Sequence, residues 1–189
     1  LDSEGNVYLD NLRAARAEMK YTFAKEGTIT WYPRFTYMGF QYAQILSCPG
    51  EVKAENFTAC TLHSEMETTG NITCSNSLLN QLHHNYMWGL KGNFLDVPTD
   101  CPQRDERLGW TGDAQIFCRT ACYLMNTYTF YRKWLHDVEV DQTPEGGVPH
   151  VVPNIEEGKT DGNWLLSQGP HSAAAWADVA VIAPWTLYL

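Results

Sequence analysis

The chain has 189 residues, of which 44% are hydrophobic and 13% aromatic, so it can bury a core as one domain or as two small ones. Acidic residues outnumber basic residues by 22 to 13, and the formal charge of −9 argues against a nucleic-acid or anionic-membrane partner. No apolar run reaches the roughly 18 residues that a membrane span requires, so we expect none.

The first third of the chain is rich in β-branched and aromatic residues in short runs, which predicts antiparallel strands. Turn-forming residues at Gly27, Pro33 and Pro49 separate these runs. Strands this short need a second sheet to cover them, so residues 1–66 are predicted to be the last strands of a β-sandwich domain. The predicted strands span residues 18–23, 28–32, 35–46 and 57–62.

Residues 67–189 have the apolar spacing of helices. Ser75 is predicted to cap a first helix with Leu78, Leu79, Leu82, Tyr86 and Leu90 on one face. A second helix is predicted over residues 111–126, with its apolar face continuing to Tyr128. A third carries Tyr131, Trp134, Leu135 and Val138, and a connection rich in glycine and proline then runs from Pro144 to Pro170. In the last apolar stretch we expect Pro184 to break the helix or to lie in its first turn.

The predicted fold class is therefore α+β, with sandwich strands followed by helices. Both ends resemble cuts, because Leu1–Asn6 contain no Met or signal pattern and the apolar segment up to Leu189 has no stop signal. We expect an internal piece of a longer protein, whose compartment these residues do not indicate. The six cysteines are irregularly spaced, and we expect them to pack as reduced apolar side chains.

One segment, residues 96–113, combines five acidic residues with two arginines, a tryptophan and several prolines and glycines. Prolines and glycines set a fixed, non-repeating backbone path. Carboxylates, Arg and Trp are the side chains that a sugar site uses, since one carboxylic acid can protonate a leaving oxygen. The simpler interpretation is a solvated acidic loop whose arginines pair with its own carboxylates, and composition alone does not decide between the two.

The order of the residues in this segment is more specific than its composition. It reads Val97-Pro-Thr-Asp-Cys-Pro-Gln-Arg-Asp-Glu-Arg-Leu-Gly-Trp-Thr-Gly-Asp113-Ala-Gln and resembles the signature of the α-L-rhamnosidases of glycoside hydrolase family 78. Residues 31–42, 75–80, 88–94, 146–154 and 176–185 are similar to further landmarks of that family. The resemblance implies strands of the preceding domain followed by part of an (α/α)6 barrel that hydrolyses terminal α-L-rhamnose with inversion.

The same resemblance implies roles for five residues of the segment. Glu106 matches the general acid, and Trp110 matches a wall of the sugar pocket. Asp100, Arg104 and Asp113 match residues that hold the sugar hydroxyls, so we expect Asp100, Glu106 and Asp113 to converge on one concavity. On extended backbone, neighbouring side chains point in opposite directions, so Asp105 is expected to point away from Glu106. We expect Asp105 to form a structural ion pair with its flanking arginines.

An inverting hydrolase needs a second carboxylate, and twelve helices of about 11 to 12 residues do not fit after Ser75. We therefore expect about a third of the barrel, the acid without the base, and no activity from these residues alone. No metal site is predicted, because the histidines lack ligand spacing, and no cofactor is expected, because no glycine-rich phosphate loop is present. The expected partner is a rhamnose-containing glycoside or polysaccharide. The alternatives are a six-hairpin glycosidase of other sugar specificity and a non-catalytic carbohydrate-binding homologue.

Overall fold

A computed structural model describes residues 1–155 and 172–189 of the chain. The described residues divide into two compact units, Leu1–Cys60 with Pro102–Arg107 and Thr61–Cys101 with Leu108–Leu189. The later part of the predicted connection from Pro144 to Pro170 lies outside the described residues. Among the described residues, no helix combines the length and the apolar character needed to cross a membrane.

The first unit, whose residues are all described, contains two short 3-10 helices, Asp10–Leu12 and Ala54–Asn56, and no hydrogen-bonded strand. The strands predicted within residues 18–62, and with them the β-sandwich, are therefore not confirmed. Strand propensity reflects packing on a pleated surface, and it gives a ladder only where a neighbouring strand offers its N–H and C=O groups. The aromatic side chains still associate locally, since the rings of Tyr21 and Trp31 lie 5.3 Å apart.

The second unit is helical, as predicted. A short hairpin of two strands, each two residues long, follows its first helix. It pairs Phe94 with Pro98 and Leu95 with Val97 in antiparallel register. In chain order the elements are α1 (Ser77–Asn93), β1 (Phe94–Leu95), β2 (Val97–Pro98), α2 (Thr111–Leu124), α3 (Tyr128–Val140) and α4 (Val179–Tyr188).

The beginning of α1 differs from the prediction by one residue. Asn76, not Ser75, is the N-cap, and its side-chain oxygen accepts a hydrogen bond from the backbone N–H of Leu78 at 2.9 Å. Asn and Ser cap helices about equally well, so residue type alone did not distinguish the two positions. The predicted apolar face is also buried at one end only: Leu90 is 1% exposed and Leu78 is 77% exposed.

Two further helix boundaries correct the predictions. The second helix ends at Leu124, and Tyr128 is the first residue of α3 rather than a continuation of α2. Pro184 lies inside α4, neither breaking the helix nor standing in its first turn. A proline removes one backbone donor, but the neighbouring bond from Ile182 N–H to the Asp178 carbonyl is kept at 2.8 Å.

The core of the second unit is formed where α2, α3 and α4 meet the end of α1 and the segment around Val152. Trp134, Tyr131 and Cys118 are fully buried there, and the rings of Phe94 and Phe130 stack with centroids 4.6 Å apart. Cys101 and Cys118 are buried as predicted and Cys122 is half-buried, whereas Cys48, Cys60 and Cys74 are exposed. This core fixes the beginning of α2, which carries part of the candidate site.

Candidate active site

The loop with the sequence signature is closed at its neck by Asp100 and Leu108. The backbone N–H of Asp100 donates to the Leu108 carbonyl at 3.2 Å. In return, the Leu108 N–H donates to the Asp100 carboxylate at 3.0 Å. Because the carboxylate itself closes the neck, Asp100 shapes the loop whatever else it contacts.

The residues after the neck run antiparallel to the segment 150–152. Trp110 and Val151 form a β-bridge, and flanking hydrogen bonds join Val152 N–H to the Gly109 carbonyl at 2.9 Å and Thr111 N–H to the His150 carbonyl at 2.8 Å. A Cβ on Gly109 would lie 2.1 Å from the Val152 carbonyl oxygen, so only glycine permits this approach. The backbone of Trp110 is therefore held on both sides.

The indole of Trp110 has an unused donor. The residue is half-buried, its Nε1 atom is buried, and among the described residues no group accepts its hydrogen bond. Buried polar groups are normally paired. The N–H is thus available to an acceptor that these residues do not supply.

Asp113 lies in the first turn of α2 with its side chain exposed. Next to it, Gly112 packs against Trp176, whose ring atoms would be 3.0 Å from a Cβ at that glycine. The ring of His150 meets the same tryptophan edge to face at 6.2 Å. Sequence reasoning missed Trp176 and His150 as neighbours of this turn, since nothing in their spacing indicates the packing.

Residues 102–107, the middle of the loop, belong to the first unit. Arg107 donates to the Tyr37 carbonyl at 3.0 Å, and its guanidinium lies 5.4 Å from the centre of the Tyr37 ring. A Cβ on Gly39 would lie 2.8 Å from the Cβ of Gln103, which shows how closely the two segments approach. The loop is thereby anchored on the segment around residues 37–39.

The Glu106 carboxylate contacts two guanidinium groups. Its Oε2 atom accepts a hydrogen bond from Arg13 Nη1 at 2.9 Å and another from Arg104 Nη1. Arg13 Nε also lies 3.3 Å from Asp105 Oδ1, and Arg104 Nη1 donates to the Asp105 carbonyl at 3.1 Å. Arg13 was not among the predicted site residues, because it is 93 positions away from Glu106 and no motif surrounds it.

The expectation that Asp105 points away from Glu106 is wrong, since both carboxylates contact Arg13. Neighbouring side chains alternate only on extended backbone, whereas Glu106 has φ 105° and Arg107 has φ 51°. These positive values turn the chain and bring consecutive side chains to one guanidinium. The expected pairing of Asp105 with its neighbours is corrected as well: its ion pair is with Arg13, and Arg107 instead binds the Tyr37 carbonyl.

The five predicted site residues fall into the two compact units. Arg104 and Glu106 belong to the first unit, where they are in contact. The other three, Asp100, Trp110 and Asp113, belong to the second. The convergence of Asp100, Glu106 and Asp113 on one concavity stays a prediction.

Two family matches together cover most of the chain. Residues 67–189 match the family described as the bacterial alpha-L-rhamnosidase 6 hairpin glycosidase domain. The chain belongs to the bacterial α-L-rhamnosidase family. Residues 1–63 match a second family, the bacterial alpha-L-rhamnosidase concanavalin-like domain.

Relatives and a solved structure agree with the family match. An alpha-L-rhamnosidase of Formosa agariphila is 41% identical over 100% of the chain, and so is one of Streptomyces avermitilis. The crystal structure of the Streptomyces avermitilis alpha-L-rhamnosidase complexed with L-rhamnose superposes with a TM-score of 0.87 at 39% identity over the whole chain. The chain spans 19% and 17% of the two curated relatives and 17% of the solved chain.

The described part of the chain offers no cluster of three or more His, Cys, Asp or Glu side chains suited to a metal ion. Among the charged candidate residues, Asp100, Arg104 and Glu106 make hydrogen bonds to protein groups. The first unit presents carboxylates with guanidinium groups, and the second presents carboxylates with an indole N–H. Groups of these kinds can bind hydroxyls, and a carboxyl can transfer a proton.

Proposed function

We propose that the protein containing this chain hydrolyses terminal, non-reducing α-L-rhamnose from glycosides with inversion of configuration. Residues 1–66 would form the end of a β-sandwich domain, and residues 67–189 the beginning of the helical catalytic domain. The observation that carries the proposal is the unbroken signature over residues 97–115, with Glu106 in the acid position, in a chain that belongs to the family. A relative that crystallised with L-rhamnose supports the choice of sugar.

In this proposal Glu106 is the general acid. Its protonated carboxyl donates the proton to the glycosidic oxygen while the bond from that oxygen to the anomeric carbon breaks. A water molecule attacks the anomeric carbon from the opposite face and gives its own proton to a second carboxylate. Inversion follows, because the leaving group and the water occupy opposite faces of the ring.

The remaining candidate residues are assigned to sugar binding. Asp100, Arg104 and Asp113 hold hydroxyl groups, and Trp110 forms a wall of the pocket. The exposed carboxylate of Asp113 and the unused indole N–H of Trp110 support these roles, since both can exchange hydrogen bonds with hydroxyls. Asp100 acts in part indirectly, through its bond to the Leu108 N–H.

The general base is assigned to sequence outside these 189 residues. In inverting enzymes the two carboxyl groups stand about 6.5 to 9.5 Å apart, with room for the water between them. The chain spans under a fifth of its curated relatives, which supports a base contributed by the remainder. The 189 residues alone are therefore expected to be inactive.

The test compares the full-length protein with the 189-residue chain on an aryl α-L-rhamnoside, on a rhamnose disaccharide, and on aryl glycosides of other sugars. We expect rhamnoside hydrolysis by the full-length protein only, with β-L-rhamnose as the first product seen by NMR. Preference for another sugar would support a six-hairpin glycosidase of different specificity. Sugar binding without turnover would support a non-catalytic homologue, and turnover by the short chain would place the base within it.

A further inference from the structure

One guanidinium in the first unit contacts two consecutive carboxylates of the signature loop. Arg13 Nη1 lies 2.9 Å from Glu106 Oε2, and Arg13 Nε lies 3.3 Å from Asp105 Oδ1. Two different nitrogens are used, so the planar group is fixed in direction as well as in distance. A single point contact would leave the guanidinium free to rotate.

The backbone of Arg13 is itself held. The residue ends the 3-10 helix Asp10–Leu12 with φ 57°, and its N–H donates to the Asp10 carbonyl at 3.2 Å. A positive φ at a non-glycine residue persists only where surrounding contacts stabilise it. Glu106, at φ 105°, has an unusual backbone too, so the contact joins two constrained positions.

We propose that Arg13 is a positioning residue for the acid: it holds the Glu106 carboxyl with one nitrogen and takes its own orientation from Asp105 with another. This inference rests on the proposed function, because it gives Glu106 the role of general acid. It adds a contributor from residues 1–60, which the signature does not include.

The contact has a consequence for the pH range of the enzyme. A guanidinium stabilises the ionised form of a carboxyl, whereas the general acid works in its protonated form. Among the described residues, the charged groups that contact or adjoin Glu106 are Arg13, Arg104, Asp105 and Arg107. Arg13 and Arg104 promote loss of the proton, and Asp105 opposes it. Arg13 therefore sets, in part, how alkaline the medium can become before activity is lost.

The test is the pH dependence of kcat/KM on a rhamnose disaccharide, measured on the full-length protein and its Arg13→Gln variant. The alkaline midpoint of the variant is expected to move up by roughly half a pH unit to one unit. This is below the usual effect of about 1 to 3 units for a close opposite charge, because the Arg13 side chain is more than half exposed. Its kcat is expected to fall a few-fold, because Glu106 loses a positioning contact.

Two further variants separate charge from position. Arg13→Lys keeps the charge without the planar pair of contacts, so its midpoint should remain near that of the wild type while kcat falls as in Arg13→Gln. Arg16→Gln removes the same charge from an exposed position three residues along and should change neither quantity. A midpoint in Arg13→Gln equal to those of the wild type and Arg16→Gln would overturn the proposal.

The role of Asp105 in orienting Arg13 is tested by a double-mutant cycle. If Asp105 orients Arg13, then adding Asp105→Asn to Arg13→Gln should reduce kcat by less than the product of the two single effects. Strict additivity would overturn the role of Asp105. If Arg13→Gln fails to fold, the proposal is tested by the kcat values of Arg13→Lys and Asp105→Asn alone. Failure of the proposed function is separate, because the wild type would then not hydrolyse rhamnosides at all.

Discussion

The indole N–H of Trp134 donates a hydrogen bond to the Val152 carbonyl at 3.1 Å, and both residues are completely buried. The bond connects the middle of α3 to the segment that runs beside Gly109 and Trp110. A core tryptophan thus supports the backbone of the candidate site from the interior of the second unit.

Replacing Trp134 by Phe is expected to destabilise the protein by about 2 to 4 kcal/mol, since it leaves a buried carbonyl without its donor and a partly filled space. Urea unfolding followed by circular dichroism measures the change. The control is Trp185→Phe, at a position on α4 that is 58% exposed, and it should change stability by less than about 0.5 kcal/mol. Equal effects would contradict the supporting role of Trp134.

Two glycines offer a matched pair of substitutions. Gly109→Ala would place its Cβ 2.1 Å from the Val152 carbonyl, whereas at Gly89, inside α1, a Cβ meets nothing within 4 Å. We expect Gly109→Ala to lower stability by about 2 kcal/mol or more and Gly89→Ala to raise it by about 0.5 to 1 kcal/mol. Both are read from thermal or urea unfolding. A neutral Gly109→Ala would show that the 109–152 contact adjusts easily.

Glu106→Gln keeps the size of the side chain and removes the transferable proton. On a natural disaccharide we expect kcat of the full-length enzyme to fall by about 10² to 10⁴, with a smaller loss on an aryl rhamnoside whose leaving group needs less protonation. Asp105→Asn, the comparison at the adjacent carboxylate, should lower kcat by no more than the few-fold effect of a residue that orients Arg13, far less than Glu106→Gln. The reverse order of effects would assign the acid to Asp105.

Lys133 provides a pH-dependent prediction about stability. Burial opposes its charge, but hydrogen bonds from its ammonium to Asp137 and Asp96 outweigh burial and raise the pKa of Lys133. A raised pKa means that the stabilisation is complete below the ordinary value of 10.5 and is lost as the pH rises through the folded-state value. Because the side chain is about half exposed, Lys133→Met should lower the free energy of unfolding by no more than about 1 kcal/mol at neutral pH.

The difference between wild type and Lys133→Met should shrink in strongly alkaline buffer, which urea midpoints at neutral and high pH would measure. Lys20→Met serves as the control, since Lys20 pairs with Glu18 in a far more exposed position and should have little effect at either pH. If Lys133→Met lowers stability equally at both pH values, the loss would come from the packing of the Lys133 side chain and not from its charge.

The helices could be predicted closely from the sequence, but the strands could not. Helical hydrogen bonds lie within one segment, so apolar spacing was enough to place α2 at Thr111, where it begins. The sequence of residues 18–62 has strand propensity, but a ladder depends on neighbours that propensity does not specify. Pro184 is an exception among the helices. Proline generally breaks or kinks a helix interior, yet α4 continues through Pro184.

Within the candidate site, the order of residues identified the loop and its family. The directions of its side chains could not be predicted from the sequence. Asp105 and Glu106 were expected to diverge because adjacent residues do so on extended backbone. Positive φ at Glu106, which sequence alone does not indicate at a non-glycine position, reversed that expectation. Arg13 was missed for a related reason: contacts across 93 residues depend on the tertiary fold.

The signature loop is divided between the two units, and this limits how the domains of such proteins can be exchanged. Residues 102–107, with Glu106 among them, form one compact unit with residues 1–60, although they lie within the segment that matches the glycosidase domain. A chimaera that joins this glycosidase segment to a foreign amino-terminal domain would keep every residue of the signature but lose Arg13 and the Tyr37 carbonyl. The two domains are therefore expected to be inherited as a pair, and a crossover near residue 66 would be harmful even though it interrupts no motif.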